Sequence, residues 1–289
     1  MLNGVRSDMS IQKTIERVWV GLWYVVYIGL RVLLRFLIGK RRREHIQNLF
    51  GLFFDRGYSI RHGILTPIAP ETLVKHVVRN VLRRRDAKTF IDVGAFIGWY
   101  SLYAYRILRK RKGAIIIAIE PDPKNYAALL ENTVRYQFIK TMNVAVYTKD
   151  DEEIEFHLGR RDSRGLSQGG TIRPVYLRTS YHFKNGLSQD TIIVKTIRLD
   201  TLIKRMGLSR VDLVKMDIQG AEYLVLSDPT LDLSEVENLI VEVHYNYNRE
   251  ESREIMRNLA AKGFKVAPLY PDKQTEHWLL LAYRNEMPW

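Results

Sequence analysis

From Thr89 onward, short apolar runs alternate with stretches whose apolar positions recur at helical spacing. The runs at 89–93, 114–119, 141–147, 211–216, 237–243, 263–269 and 277–284 predict strands, and the stretches near 98–111, 123–137, 221–227 and 249–262 predict helices. Strands this rich in Val and Ile, alternating with helices, form a parallel sheet covered on both faces. The last two runs are separated only by the turn around Pro271 and Asp272, so they read as an antiparallel hairpin. The expected fold is α/β: a seven-stranded sheet, parallel except for one antiparallel strand near the C-terminus. Residues 150–200 interrupt the alternation. Within them, 152–158 and 191–197 alternate in period two and should pair, with a polar stretch of Gly, Ser and Arg between them at 160–190. A stretch of that length is expected to act as a lid or binding loop, or to be disordered.

The pattern before Thr89 is different. Val18 to Leu30 is a run of thirteen uncharged residues, extended to Ile38 with only Arg31 and Arg35 interrupting, and followed at once by Lys40, Arg41, Arg42 and Arg43. At about 100° per residue Lys13, Arg17, Arg31 and Arg35 share one stripe, while Trp19, Trp23 and Tyr27 lie on the other sides. The pattern suits a helix that spans a bilayer, one that lies in its interface, or a helix packed on protein. The membrane readings are preferred, with residues 13–43 meeting an anionic cytoplasmic surface. No small-residue cleavage site follows the run, so no cleavable signal peptide is expected. Three regions result: an apolar and basic N-terminal helix over 1–48, a connector with a helix near 71–84 over 49–88, and a domain over 89–289 carrying the insertion at about 150–200.

Charge sharpens this division. Residues 1–88 hold 17 Lys and Arg against 6 Asp and Glu, whereas 89–289 hold 28 against 26. Arguments about anionic partners therefore apply chiefly to the N-terminal region. The hydrophobic fraction of 46% supplies a core and excludes disorder over most of the length. The absence of Cys excludes disulfides, thiolate-ligated zinc and cysteine nucleophiles.

Two loops carry the sharpest chemistry. Asp92, Gly94, Ala95, Phe96 and Gly98 join the first domain strand to a helix, with the glycines letting the backbone turn and approach a ligand closely. Their spacing matches neither the dinucleotide fingerprint nor a triphosphate loop. At the end of the next strand stand Glu120, Pro121 and Asp122. An acid at that place typically accepts hydrogen bonds from ribose hydroxyls, and ligands of such sheets sit beyond the carboxyl ends of the strands. Either loop alone could be a tight turn or a helix start. Together they favour a nucleoside cofactor, and the acid beside an uncharged loop suits a cationic sulfonium better than a pyrophosphate.

These two motifs, together with Asn143-Val144-Ala145-Val146, Leu199-Asp200-Thr201-Leu202, Asp212 through Glu222 and Ile240-Val241-Glu242-Val243-His244, resemble in order the FkbM family of S-adenosylmethionine-dependent methyltransferases. The resemblance spans roughly 89–284. It implies the Rossmann-like seven-stranded methyltransferase sheet, S-adenosylmethionine as cofactor, and methylation of a hydroxyl on a glycan, lipid or small molecule. It assigns cofactor contacts to Asp92, Gly94, Ala95, Phe96, Gly98, Glu120, Pro121, Asp122, Asn143, Val144 and Asp217. Two positions depart from the family pattern: Phe96 where Asn is usual, and Gln219 where Glu is usual.

A hydroxyl acceptor must lose a proton, so a base at the strand ends helps, and His244 and Asp217 are the candidates. His244 has the better intrinsic pKa for this near neutrality, and Asp217 is the better orienting group. Lys215 and Glu222 read as a structural pair. Asp217, Glu242 and His244 carry ligand types that could together hold a divalent metal, which is possible there but not favoured. Two other functions stay open: ribose 2′-O-methylation of RNA, prompted by the basic N-terminus, and a non-catalytic membrane-attached module suggested by Phe96 and Gln219.

Overall fold

The computed structural model describes residues 58–61, 64–67, 70–159, 161–163, 165–167, 169–172, 187–269 and 278–287. The expected N-terminal helix over 1–48 lies outside the described residues. Among the described residues no helix is long and apolar enough to cross a membrane. The chain divides into two compact units, Met1–Ala69 and Pro70–Trp289. The first contains an antiparallel hairpin of β1 (Tyr58–Arg61) and β2 (Ile64–Pro67), in a stretch the hydropathy pattern marks only as connector.

The second unit opens with α1 (Pro70–Arg83). Its proline falls at the first helical position, where a missing N–H leaves no intrahelical bond unmade. Val74, Val77, Val78, Val81 and Leu82 lie along one face and are buried in the core, so this helix belongs to the domain rather than to a linker. There follow β3 (Thr89–Val93), α2 (Trp99–Leu108), β4 (Ile115–Ile119), α3 (Pro123–Thr133), β5 (Ile139–Met142), β6 (Ala145–Val146), β7 (Glu153–Gly159) and β8 (Leu187–Ile197). The chain continues through α4 (Leu199–Arg205), β9 (Leu213–Met216), α5 (Glu222–Ser227), β10 (Asn238–Val243), α6 (Glu250–Ala261), β11 (Lys265–Leu269) and β12 (Trp278–Tyr283).

Seven strands form one sheet in the order β11-β12-β10-β9-β3-β4-β5. All neighbours are parallel except β12, which runs antiparallel to both β10 and β11, as the terminal hairpin pattern predicts. Every residue of β3 is buried. Ile91 and Val93 face one cluster with Ile117, Val214, Met216 and the apolar sides of α4, α5 and α6, while Phe90 faces the other with Ile116, Leu213, Ile240 and helices α1 and α2. Period-two alternation thus divides one apolar run between two cores.

Two boundaries differ from the sequence pattern. The run at 141–147 is not one strand. The Asn143 amide donates to the carbonyls of Glu120 (2.8 Å) and Pro121 (2.9 Å), which turns the chain off the edge of the sheet. Ala145 and Val146 then pair with β8 in a separate sheet of order β6-β8-β7. The helix expected to reach residue 137 ends at Thr133, whose hydroxyl donates back to the Leu129 carbonyl (2.7 Å). β7 and β8 pair antiparallel as their alternation predicts.

Candidate active site

The chain enters the sheet at β3, adds β4 and β5 on one side, and returns with β9 on the other. That reversal opens a crevice between β3 and β9 at their carboxyl ends. Four loops meet there. The sheet order brings Glu120 (after β4), residues 94–98 (after β3), Asp217 (after β9) and His244 (after β10) side by side.

The first loop is held by close backbone contact. The Gly94 and Ala95 amides both donate to the Ile119 carbonyl (3.0 and 2.9 Å), and the Asp217 amide donates to Val93 (3.0 Å). Gly94 has φ +74°, and a Cβ there would sit 1.9 Å from the Asp217 carbonyl oxygen. Only glycine fits that approach. Phe96 takes a left-handed φ of 52° and gives its amide to Glu120 Oε2 at 3.0 Å. The position that departs from the family pattern therefore uses its backbone to hold the acid of the next loop.

Asp92, at the fourth position of β3, is completely buried. Its Oδ2 accepts from the Ser101 hydroxyl at 2.8 Å, and Oδ1 lies 3.5 Å from the Lys215 ammonium. Burial raises the Asp92 carboxyl, against the pull of Lys215 and Ser101. Burial also works to lower Lys215, but Asp92, Asp217 and Glu242 outweigh it and hold the ammonium above its usual range. Lys215 further donates to the Gly94 carbonyl (3.1 Å) and approaches Asp217 Oδ2 at 3.7 Å. Its ion partners are thus Asp92 and Asp217, not the Glu222 suggested by sequence. It ties the two sides of the crevice together.

Glu120 is 6% exposed. Its Oε1 accepts from the Asp122 amide (3.2 Å) and the Asn125 amide group (3.1 Å), and Oε2 accepts from Phe96. A carboxylate offers about four acceptor positions, so one remains on Oε2. Burial pushes its pKa up to about 7, against these three hydrogen bonds and with the help of the Asp122 charge. Asp122 caps α3 by accepting from the Lys124 amide (2.9 Å) and pairs with Arg161 (3.3 Å). Asn143 braces the Glu120 and Pro121 carbonyls from behind, and Val144 packs into the core.

On the far side of the crevice Glu222 is fully buried at the start of α5. It accepts from the Ile218 amide (2.9 Å), the Gly220 amide (2.8 Å) and His244 Nδ1 (3.0 Å), which fixes the loop after β9. His244 Nε2 lies 3.8 Å from Asp217 Oδ1, which also accepts from the Gln219 side chain at 2.9 Å. Burial works to lower the His244 pKa, but Glu222, then Glu242 and Asp217, raise it to about 10. The imidazole therefore rests as a cation. In that form both ring nitrogens carry a proton and donate hydrogen bonds. Glu242 is raised to about 7 by burial and by the neighbouring Asp217 charge.

Asp217, Glu222 and His244 place one donor atom each within 4.8 Å of one another. This trio replaces the Asp217, Glu242 and His244 grouping read from sequence. It fits a metal poorly. Both Glu222 oxygens are engaged by backbone amides and the imidazole, and the Lys215 ammonium already supplies positive charge beside Asp217.

Sequence pattern alone missed the clasp formed by the insertion. Arg161 bonds Asp122. Ser167 and Asn125 exchange two hydrogen bonds (2.7 and 3.0 Å), and the Thr171 hydroxyl donates to the Gln219 carbonyl (2.6 Å). Arg161 and Ser167 therefore lie against the β4 loop and the start of α3, and Thr171 against the β9 loop. Asn125, on the first turn of α3 and bonded to Glu120 as well, is the polar residue that could have signalled this.

The family model described as the methyltransferase FkbM domain matches residues 92–266. The chain is 30% identical over 174 residues to 2-O-methyltransferase NoeI of Sinorhizobium fredii, covering 57% of this chain and 66% of that protein, just under two thirds of its length. It is 25% identical over 187 residues to 31-O-demethyl-FK506 methyltransferase FkbM of Streptomyces tacrolimicus, covering 58% and 69%. Among solved structures it resembles a methyltransferase FkbM from Methylobacillus flagellatus KT, with 16% identity, a TM-score of 0.40 and coverage of 68% of this chain and 44% of that one. Matched over more than half of its length, the chain belongs to the FkbM methyltransferase family.

Proposed function

We propose that the chain transfers a methyl group from S-adenosylmethionine to a hydroxyl of a glycan, lipid or small molecule. The observation that carries the cofactor half is Glu120, a buried acid at the end of β4 with one acceptor position left, at the edge where such sheets bind nucleosides. Glu120 accepts a ribose hydroxyl, one bond rather than the pair an unencumbered carboxylate offers. The backbone of residues 94–98 lines the crevice beside it. Asp92 and Asn143 support these loops rather than touching the ligand. Similarity to two relatives whose names specify O-methylation supports a hydroxyl acceptor.

When bound, the cofactor supplies an electrophilic methyl on a cationic sulfur; the acceptor oxygen attacks the carbon and the C–S electron pair leaves with sulfur. His244 holds the acceptor by donating from Nε2, and the Asp217 carboxylate takes up the acceptor's proton or passes it to water. The strand-end edge is acidic, which suits a neutral acceptor better than RNA. The direct test is incubation of the full chain with methyl-deuterated S-adenosylmethionine and extracted lipids, glycans and small molecules. Label on oxygen supports the reading; label on nitrogen or carbon alone, or none, overturns it.

Two further outcomes follow from the pKa shifts. A ribose hydroxyl donates more strongly to the ionised form of Glu120, so binding below pH ~7 favours release of a proton, and affinity should rise with pH up to about 7 and then level. Glu120→Gln should flatten that profile; a wild-type affinity independent of pH contradicts it. His244→Ala should lower kcat by about 10²-fold or more, as for loss of a positioned hydrogen-bond donor, while leaving cofactor affinity near wild type. Because the wild-type imidazole is already charged, the wild-type rate should show no limb near pH 6.5 from this residue.

A further inference from the structure

The amino-terminal edge of the sheet, opposite the crevice, carries a different charge. Segments 83–88, 106–112 and 134–140 hold eleven Lys and Arg and one acid, Asp86. The fold gathers all three at one place. Arg111 donates to the carbonyls of Arg85 and Arg83 (3.1 Å to the latter), and the Ile115 amide donates to Lys88 (2.9 Å). Tyr105 packs against a tilted Tyr136 (4.4 Å) and stacks on Phe138 (4.7 Å), and the Ile116 amide donates to the Phe138 carbonyl. Arg83, Arg85, Lys88, Arg106, Arg109, Lys110, Lys112, Arg135 and Lys140 are exposed. Asp86 is itself bound by Arg210 at 2.7 Å, so it does little to neutralise them. Among these cations Val134 is 69% exposed, and Leu130, one turn before it, 45%.

We infer that this edge is a docking surface for an anionic lipid bilayer. Exposed cations around a protruding apolar side chain match a surface of anionic headgroups over hydrocarbon. A nucleic-acid acceptor would need cations leading to the reacting atoms. Here Glu120, Asp122, Asp217 and Glu222 occupy that end, and the five-residue strand β3 sets the two edges roughly 16 Å apart. The basic edge thus holds the enzyme at a surface while the crevice faces away from it. The sequence of the apolar run at 18–38 also suits a membrane, so the test must report position as well as binding.

The absence of Cys in the full chain makes such a test direct. Val134→Cys places an environment-sensitive fluorophore on the basic edge, and Ser163→Cys, exposed in the insertion, places it at the crevice end. Vesicles of ~3:1 phosphatidylcholine and phosphatidylglycerol carrying a nitroxide headgroup lipid supply the anionic surface. The expected result is strong quenching at 134 and little at 163. Quenching at 134 should fall several-fold when Arg109, Lys110 and Lys112 are changed to Glu, or when salt rises from about 0.05 M to about 0.5 M. The inference is overturned if vesicle-bound protein shows equal quenching at both positions, if the Glu triple variant quenches like its parent, if the full chain does not bind these vesicles, or if the 134 label responds to single-stranded RNA and not to lipid.

Discussion

Replacing Glu222 with alanine should destabilise the protein by about 3–5 kcal/mol, because it strands a buried cation and two buried amides at once. The carboxylate is fully buried and is the main counter-charge to the His244 imidazolium, which contacts it at 3.0 Å. It also holds Ile218 and Gly220 in the loop after β9. For a domain of this size the loss lowers the melting temperature by roughly 6–20 °C. Glu222→Gln keeps an acceptor but removes the charge, so the His244 pKa should drop from about 10 toward the ordinary histidine range. The sign of the linkage is fixed. A histidine raised from ~6.5 unfolded to about 10 folded contributes stability that is complete below pH ~6.5 and is lost as pH rises through 10. Thermal unfolding at several pH values should show that decline shrinking in Glu222→Gln. An alanine variant as stable as its parent, or a His244 titration unmoved by Glu222→Gln, contradicts this account of the loop.

Gly94→Ala is expected to cost at least about 3 kcal/mol and to abolish cofactor binding in any protein that still folds. The added Cβ would lie 1.9 Å from the Asp217 carbonyl, so the β3 and β9 loops must part. Parting them also loosens the Lys215 bond to the Gly94 carbonyl. Gly113 is the control. Its φ of +72° is nearly the same, but nothing lies within 4 Å of its added Cβ. Gly113→Ala should therefore show only the backbone cost, about 1 kcal/mol. Equal losses at 94 and 113 in thermal unfolding would mean that the close approach of the two loops has no role.

The strands were legible because buried parallel strands leave continuous Val and Ile runs, and the antiparallel β12 because only the stretch 270–277, with Pro271 and Asp272, separates its run from that of β11. The place of Glu120 followed from its position at a strand end. What it bonds did not. Phe96 and Asn125 reach it only through the left-handed turn at 96 and the first turn of α3. The departure of the chain at Asn143 was hidden because the apolar pattern continues through 147, while a single side-chain amide decides the bend. Residues 161–171 carry no periodicity, yet they pair with Asp122, Asn125 and Gln219, contacts separated by some forty residues or more in sequence. The charge on His244 could not be read from its residue type, since Glu222, Glu242 and Asp217 are brought around it only by the sheet.

The central claim, that the crevice beside Glu120 holds S-adenosylmethionine, is tested most directly by calorimetric titration of the full chain and of a folded Glu120→Ala variant. The account predicts one binding event per chain. It also predicts at least about a tenfold loss of affinity in the variant, since a hydrogen bond to a charged acceptor contributes roughly 1.5–3 kcal/mol. Unchanged affinity in the variant, or no binding by the parent chain, would contradict it.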